Sequence, residues 1–427
     1  MFVFIGNTPR DYAWGSTDAL PEMLGTSPTG APQAELWLGS HPGDPAEVAK
    51  ATPVAQTLID LIRSDPERYG VDGEELPFLL KVLAIGSPLS LQVHPTREQA
   101  EAGFLAEEIA GVARDASTRN YRDRNHKPEM VVALDDRFRA LCGFRSLGDA
   151  AADVRGLARA LPPGDPGRAL LEALADRMDD APDAAQSRRA LLSWLFSADA
   201  SVTAVQDALR GATEAAVTQS ATGTVIETPD RARLDGLAEL VRTHPGDPGV
   251  LVSLLMHQIA LAEGEALYLP PGHLHAYLSG VAVEVMASSD NVLRAGLTPK
   301  HIDITELSRI MVADELADPT LVPSHPIPGI TLWEVPLADF LLARIRVQTG
   351  AVGAAPGEPA RQVTGPADYP LVVIATQGRL RVERVSEHLN EVASLARGQA
   401  LYISAGDPVS VSGSGEAFVA TVGRHWG

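Results

Sequence analysis

The sequence predicts a mainly β protein interrupted by a long helical stretch, with its C-terminal part repeating an earlier β segment. Three observations carry this reading. Short apolar runs bounded by Gly, Pro and Asp turns recur up to Leu134 and again from about Pro245 onward. From Leu147 to about Arg242 the composition turns to Ala, Asp, Leu and Arg, and the apolar residues fall at helical spacing. Gly398–Val411 then aligns without gaps on Gly264–Tyr277, sharing Gly, Ala, Leu, Tyr and Gly at matching places, the mark of an internal repeat.

The elements follow in order. Asp11–Ser16 and Ala34–Pro42 mix turn residues with aromatic and apolar strand formers and read as sheet edges, their Trp residues packing rather than binding. Leu76–Ile85 is apolar except for Lys81, the pattern of a strand buried on both faces, and it leads directly into Gly86. In the strand that follows, Gln92 and His94 alternate with Val93 and so project to one face. A helical excursion (about 97–116) places Ala102, Leu105, Ile109 and Val112 near helical spacing, and the Arg-rich stretch Ser117–Lys127 reads as an exposed loop. Met130–Leu134 is a further strand, opened by Glu129.

In the helical stretch, Val154, Leu157 and Leu161 form one stripe, and Leu170, Leu171, Leu174 and Met178 another. Breaks are expected at Pro162–Pro166 and at Asp180–Pro182. Beyond it, Gly264 permits a tight turn, Ala266–Leu269 is a short strand, and Pro270–Gly272 turns the chain before His275. Glu284 sits inside the apolar strand Val281–Met286, where it is costly unless partnered. Further strands, Leu371–Ala375 and Leu380–Glu383, flank Gly378. Four segments result: 1–146 and 246–325 as two parts of one β unit, 147–245 as the helical insertion, and 326–427 as a second β unit.

Composition narrows the function classes. A chain of 427 residues with 45% apolar and 21% charged content can build sizeable cores. No apolar run approaches a bilayer span and Met1–Ile5 is too short for a signal core, so a cytoplasmic protein without membrane association is expected. The single cysteine, Cys142, lies among apolar residues and reads as a core thiol. A net charge of -20 with no Lys/Arg run argues against nucleic acid. An anionic small substrate stays open, because Lys127, Arg294 and Lys300 lie in or beside the polar motifs.

The patterns Gly86-x5-Gln92-x-His94 and Gly264-x5-Pro270-x4-His275 resemble the paired metal motifs of the cupin superfamily, with Gln92 where a His is usual. The resemblance implies two cupin-type β-barrels (jelly-roll-like) plus an inserted helical domain. It also implies four metal ligands: Gln92, His94, Glu129 and His275. Such N and O donors suit zinc, while two His and one carboxylate also suit non-haem iron. In the repeat, Val409 stands where His275 stands, which implies that the second barrel is metal-free.

Longer strings are more specific. Ser90–Pro95, Asn125–Met130, His275–Gly280 and Ala287–Lys300, with the two N-terminal Trp segments, closely resemble the signatures of the type I phosphomannose isomerase family. The resemblance implies a zinc enzyme, one ion per chain, interconverting mannose 6-phosphate and fructose 6-phosphate, with Arg294 at the active-site arginine position. Aldose–ketose isomerisation moves a proton between C1 and C2 through a cis-enediol, so it needs a base near both carbons and positive charge near the developing oxyanion. Candidates for the base are His126, Lys127, Glu284 and Asp290; Ser90, Lys127 and Lys300 are the expected phosphate contacts. An Fe(II) cupin dioxygenase and a non-catalytic sugar-binding cupin are the rival readings. A monomer is the default assembly, with an oligomer left open.

Overall fold

The computed structural model describes residues 1–49, 56–179, 183–197, 199–223, 229–351, 355–385 and 390–423. Its strands form two antiparallel sheets. The first is centred on His275–Ala287, which pairs with Phe78–Ile85, Leu91–Val93, Glu129–Ala133 and Phe138–Phe144. Every residue of Phe78–Ile85 is buried, as a run with no polar face requires. Glu35–Leu38 pairs along its other side and is buried as well; Arg10 bridges to Glu35, and Ser16 to Gln33 just ahead of the strand.

The second sheet is built on Leu371–Val385 and Gly406–Thr421, which pair with each other over most of their length. Here the repeat is visible in the backbone. Ala400–Ile403 lies at the same offset from Gly398 as Ala266–Leu269 does from Gly264, and both glycines are left-handed, with φ of 82 and 85°. Val409 is buried among Val363, Val373 and Leu380 in the apolar core of this sheet. A separate core joins the two sheets through Val82, Val283, Trp333, Val372 and Phe418.

Three segment expectations need correction. Phe2–Gly6 pairs with Ala400–Ile403, so the chain begins in the second sheet rather than in the first β unit. A short apolar strand does not encode its partner; here Ile5 settles the matter by packing into the core between the sheets. The helices begin at Leu147 and continue past 245 through Pro248–Ser253, before the Met256–Leu261 strand. In the excursion, the Arg97–Ile109 helix buries Ala100, Gly103 and Phe104, and leaves Leu105 and Ile109 54 and 79% exposed. The cause is the Arg-rich loop, which folds back over the helix: Tyr121 is buried, and Arg119 is clamped by Glu107 and Glu108.

Val154, Leu157, Leu171, Leu174 and Met178 form one core with Leu91, Val93 and Leu293, which fastens the helices beneath the strands that carry the polar motifs; Leu170 stays at the surface. The Pro162–Pro166 break falls between the helices Leu147–Ala160 and Pro166–Asp179, whereas residues 180–182 lie outside the described residues. Among the described residues no helix is long and apolar enough to cross a membrane. Cys142 is fully buried, and that burial pushes its thiol up to about 12, as for a core thiol.

Candidate metal centre and active site

Strand register assembles the site. His275 stands opposite Gln92 on one side and Cys142 on the other, and Gln92 in turn stands opposite Arg294. On the same long strand, Glu284 is opposite Lys81, which is opposite Trp37. Glu129 begins the strand that pairs with the other edge of His275–Ala287. Positions more than a hundred residues apart in sequence thereby face one cavity of about 660 Å³.

His94, Glu129 and His275 are all buried, and one ligand atom from each lies within 4.8 Å of the others. His94 Nδ1 donates to the Asn291 carbonyl at 2.7 Å, so its Nε2 presents a lone pair toward Glu129 Oε1 at 3.4 Å. That Nε2 is buried and makes no hydrogen bond. His275 bonds the His273 carbonyl through Nδ1 at 3.1 Å and turns Nε2 to Glu129 Oε2 at 3.2 Å. Buried lone pairs facing a carboxylate repel one another unless a cation lies between them. Ligands about 2.0–2.1 Å from a tetrahedral zinc are about 3.3 Å apart, which these spacings match. Burial and the Lys127 ammonium hold the His94 imidazole down to about 4, so it is neutral and ligand-ready at pH 7. Burial opposes ionisation of Glu129, but Lys127 and His94 outweigh it and hold the carboxyl well below its usual range. Gln92 lines the cavity and stands opposite His275.

Of the expected base candidates, Glu284, Asp290 and Lys127 line the cavity, and His126 does not. Side chains alternate along this extended stretch; Lys127 and Glu129 face inward, so His126 faces out, where its Nε2 meets Asp339 at 2.9 Å. Glu284 is buried, accepts from the Tyr277 hydroxyl at 2.7 Å and faces Lys81 Nζ at 3.3 Å. Burial lifts its carboxyl above the usual range, with Lys81 opposing. Asp290 faces His41 at 3.7 Å rather than Arg294. Lys127 Nζ is engaged by Glu129 Oε1 at 3.0 Å, which draws it to the metal-type triad rather than to a free anion.

Another group of cations is unengaged. Arg294, Lys300 and Arg122 line the cavity, and none has a carboxylate partner within ion-pairing distance among the described residues. Burial and then Arg122 lower the Arg294 guanidinium; burial, Arg294 and Arg122 lower the Lys300 ammonium. Mutually repelling cations with no carboxylate partner, Arg294 half-buried and Arg122 and Lys300 exposed, are an anion site in waiting. Ser90 lines the same wall.

Sequence reasoning passed over several of these residues. Lys81, held between Glu35 at 3.5 Å and Glu284 at 3.3 Å, was signalled as the lone charge in a buried run. Arg122 had no signal separating it from Arg119, which is tied up in ion pairs. Trp14 and Trp37 pack, but they also form cavity wall, and Trp37 lies 4.8 Å from the Lys81 ammonium. Fully buried Asn291 is the hub of the loop: its amide oxygen accepts from the Arg122 and Asp123 N–H groups, and its NH₂ donates to Asp123 and Asn125.

Comparison with known proteins identifies the family. Residues 3–147 match the model of the phosphomannose isomerase type I catalytic domain. The chain is 40% identical to mannose-6-phosphate isomerase of Escherichia coli (strain K12), over 70% of this chain and 72% of that relative. It is 30% identical to the Homo sapiens mannose-6-phosphate isomerase over 94% of this chain and 93% of that one. A zinc-bound crystal structure of mannose 6-phosphate isomerase superposes with a TM-score of 0.82 at 29% identity, covering 99% of this chain and 100% of the other. With its catalytic-domain signature and its identity to these relatives, the chain belongs to the type I mannose-6-phosphate isomerase family.

Proposed function

We propose that the protein interconverts D-mannose 6-phosphate and D-fructose 6-phosphate through a cis-enediol, with a zinc ion held by Gln92, His94, Glu129 and His275. The observation that carries this reading is one cavity that joins both halves of the required chemistry: a buried His/Glu/His donor set, whose Glu129 and His275 line its wall, and the cations Arg122, Arg294 and Lys300, unpaired among the described residues. When bound, zinc supplies positive charge that polarises the oxygens at the reacting carbons.

The remaining roles fall to the chain's own side chains. Glu284, made more basic by burial and oriented by Tyr277 and Lys81, is our choice for the group that carries the proton between C1 and C2. Lys127 compensates Glu129 inside the donor set. Arg122, Arg294, Lys300 and Ser90 hold the phosphate, and Arg294, opposite Gln92, also reaches the developing oxyanion. Trp14 and Trp37 give the sugar an apolar wall. The unpaired cations favour this assignment over an iron dioxygenase, which has no use for an anion site.

At the level of fold, we read each sheet as a cupin-type barrel, with the helices from Leu147 to Ser253 as an inserted domain and the second barrel as metal-free. The matched turn and strand at Gly264 and Gly398, with Val409 buried in place of a ligand, support this. A cytoplasmic enzyme suits a single buried, unoxidised thiol. The test is a coupled isomerase assay with mannose 6-phosphate, run beside metal analysis. Turnover abolished by chelation and restored by zinc is expected; binding without turnover would favour the sugar-binding alternative, and metal-dependent oxygen consumption the dioxygenase.

A further inference from the structure

We infer that Asp247, which lies outside the cavity wall, is a positioning residue that fixes the phosphate side of the site by holding the Leu297–Lys300 turn. The inference rests on the reading of Arg294, Lys300 and Arg122 as the anion site.

One carboxylate makes three contacts here. Asp247 Oδ1 accepts from the Gly249 N–H at 2.7 Å, capping the Pro248–Ser253 helix, and from the Leu297 N–H at 2.8 Å; Oδ2 accepts from the Thr298 N–H at 3.0 Å. Such bonds to an ionised group are about twice as strong as neutral ones. What they hold is strained: Leu297, with φ of 54°, is the one non-glycine residue with positive φ among the described residues. A residue with a Cβ persists there only where its surroundings over-determine it. The helix start and the strand end interlock as well, since a Cβ on Gly296 would come within 2.6 Å of Gly249 Cα.

The turn matters because of what it carries. It follows directly on the Leu293–Gly296 strand that bears Arg294, and Leu297, Thr298 and Lys300 all line the cavity. The Thr298 hydroxyl accepts from the Lys300 N–H at 3.2 Å, so the restraint passes from Asp247 through Thr298 to Lys300. Lys300 is exposed and repelled by Arg294 and Arg122, so an unrestrained turn would carry it off the cavity wall. Asp247 supplies the counter-restraint through the backbone, without neutralising the cations that the phosphate needs.

The decisive experiment compares zinc-loaded wild type with Asp247→Asn, whose single amide oxygen cannot serve both Leu297 and Thr298 and whose NH₂ opposes an N–H. Asp247→Glu keeps the charge but displaces the turn, and it serves where the Asn variant fails to fold. Inorganic phosphate binding by calorimetry, kcat, KM and zinc content are measured on the same preparations. The expected result is a roughly tenfold weakening of both phosphate binding and KM, with kcat within about twofold and zinc unchanged, the signature of lost ground-state binding. Unchanged phosphate affinity and KM, even with a lower melting temperature, overturns the inference; so does a parallel loss of kcat, phosphate affinity and zinc. Should wild type bind no phosphate, or Lys300→Ala bind it as well as wild type, the anion-site reading itself is what fails.

Discussion

Arg294→Ala separates catalysis from stability, and the structure gives each a sign. Arg294 is half-buried, stands opposite Gln92, and has no carboxylate within ion-pairing distance among the described residues; its near charges are Arg122 and Lys300, both repulsive. Removing it therefore deletes like-charge repulsion and a desolvation cost, against the loss of some stem packing. The melting temperature should hold or rise, with a gain of roughly 0.5–1 kcal/mol at most, as for other groups that function keeps at the expense of stability. Turnover should fall by roughly a hundredfold or more, the loss seen when one oxyanion donor is removed, or about 2.7 kcal/mol in the barrier. Arg294→Lys should rescue poorly, since a point ammonium does not reproduce the planar fork. The assay is steady-state kinetics with zinc content and a melting curve on the same preparations. Intact turnover with a lowered melting temperature would refute this reasoning, and Arg294 would then be a structural residue.

Other consequences can be checked in the same system. His275→Ala should lose zinc and activity, whereas Val409→Ala, at the equivalent place in the second sheet, should keep both and cost only about 1 kcal/mol of stability; equal metal loss from both contradicts a silent second sheet. Lys81→Met leaves Glu35 and Glu284 buried without their shared ammonium, for roughly 3–5 kcal/mol of destabilisation. Lys81 also opposes the upward shift of Glu284, so the acid limb of the kcat–pH profile should move to higher pH in that variant; an unmoved limb excludes Glu284 as the base. Acid should strip the site in a defined direction. His94 titrates near 4 in the fold and near 6.5 when unfolded, so its contribution is whole above 6.5 and is lost as pH falls toward 4, by up to roughly 3 kcal/mol. Zinc content and melting curves between pH 7 and pH 4 would detect this, and a flat response would show that His94 is not buried neutral.

The two motif segments and the Glu129 string were legible in the sequence because they are local: Gln92 and His94 share a face by strand alternation, and Gly264 and Pro270 shape their turn without help from distant residues. The repeat was legible for the same reason, since Gly398 and Gly264 impose one backbone conformation in both copies. Alternation also held the information that excludes His126 from the cavity, through the inward phase of Lys127 and Glu129. Tertiary structure alone decided the rest. Which strand Phe2–Gly6 joins, which face of Arg97–Ile109 is covered, and which of the arginines near Tyr121 is left free all depend on pairings between segments far apart in the chain. Lys81 shows the division most plainly. Its sequence neighbours mark it only as an anomaly in an apolar strand, but register sets it between Trp37 and Glu284, because pairing fixes cross-strand neighbours that no single strand can specify.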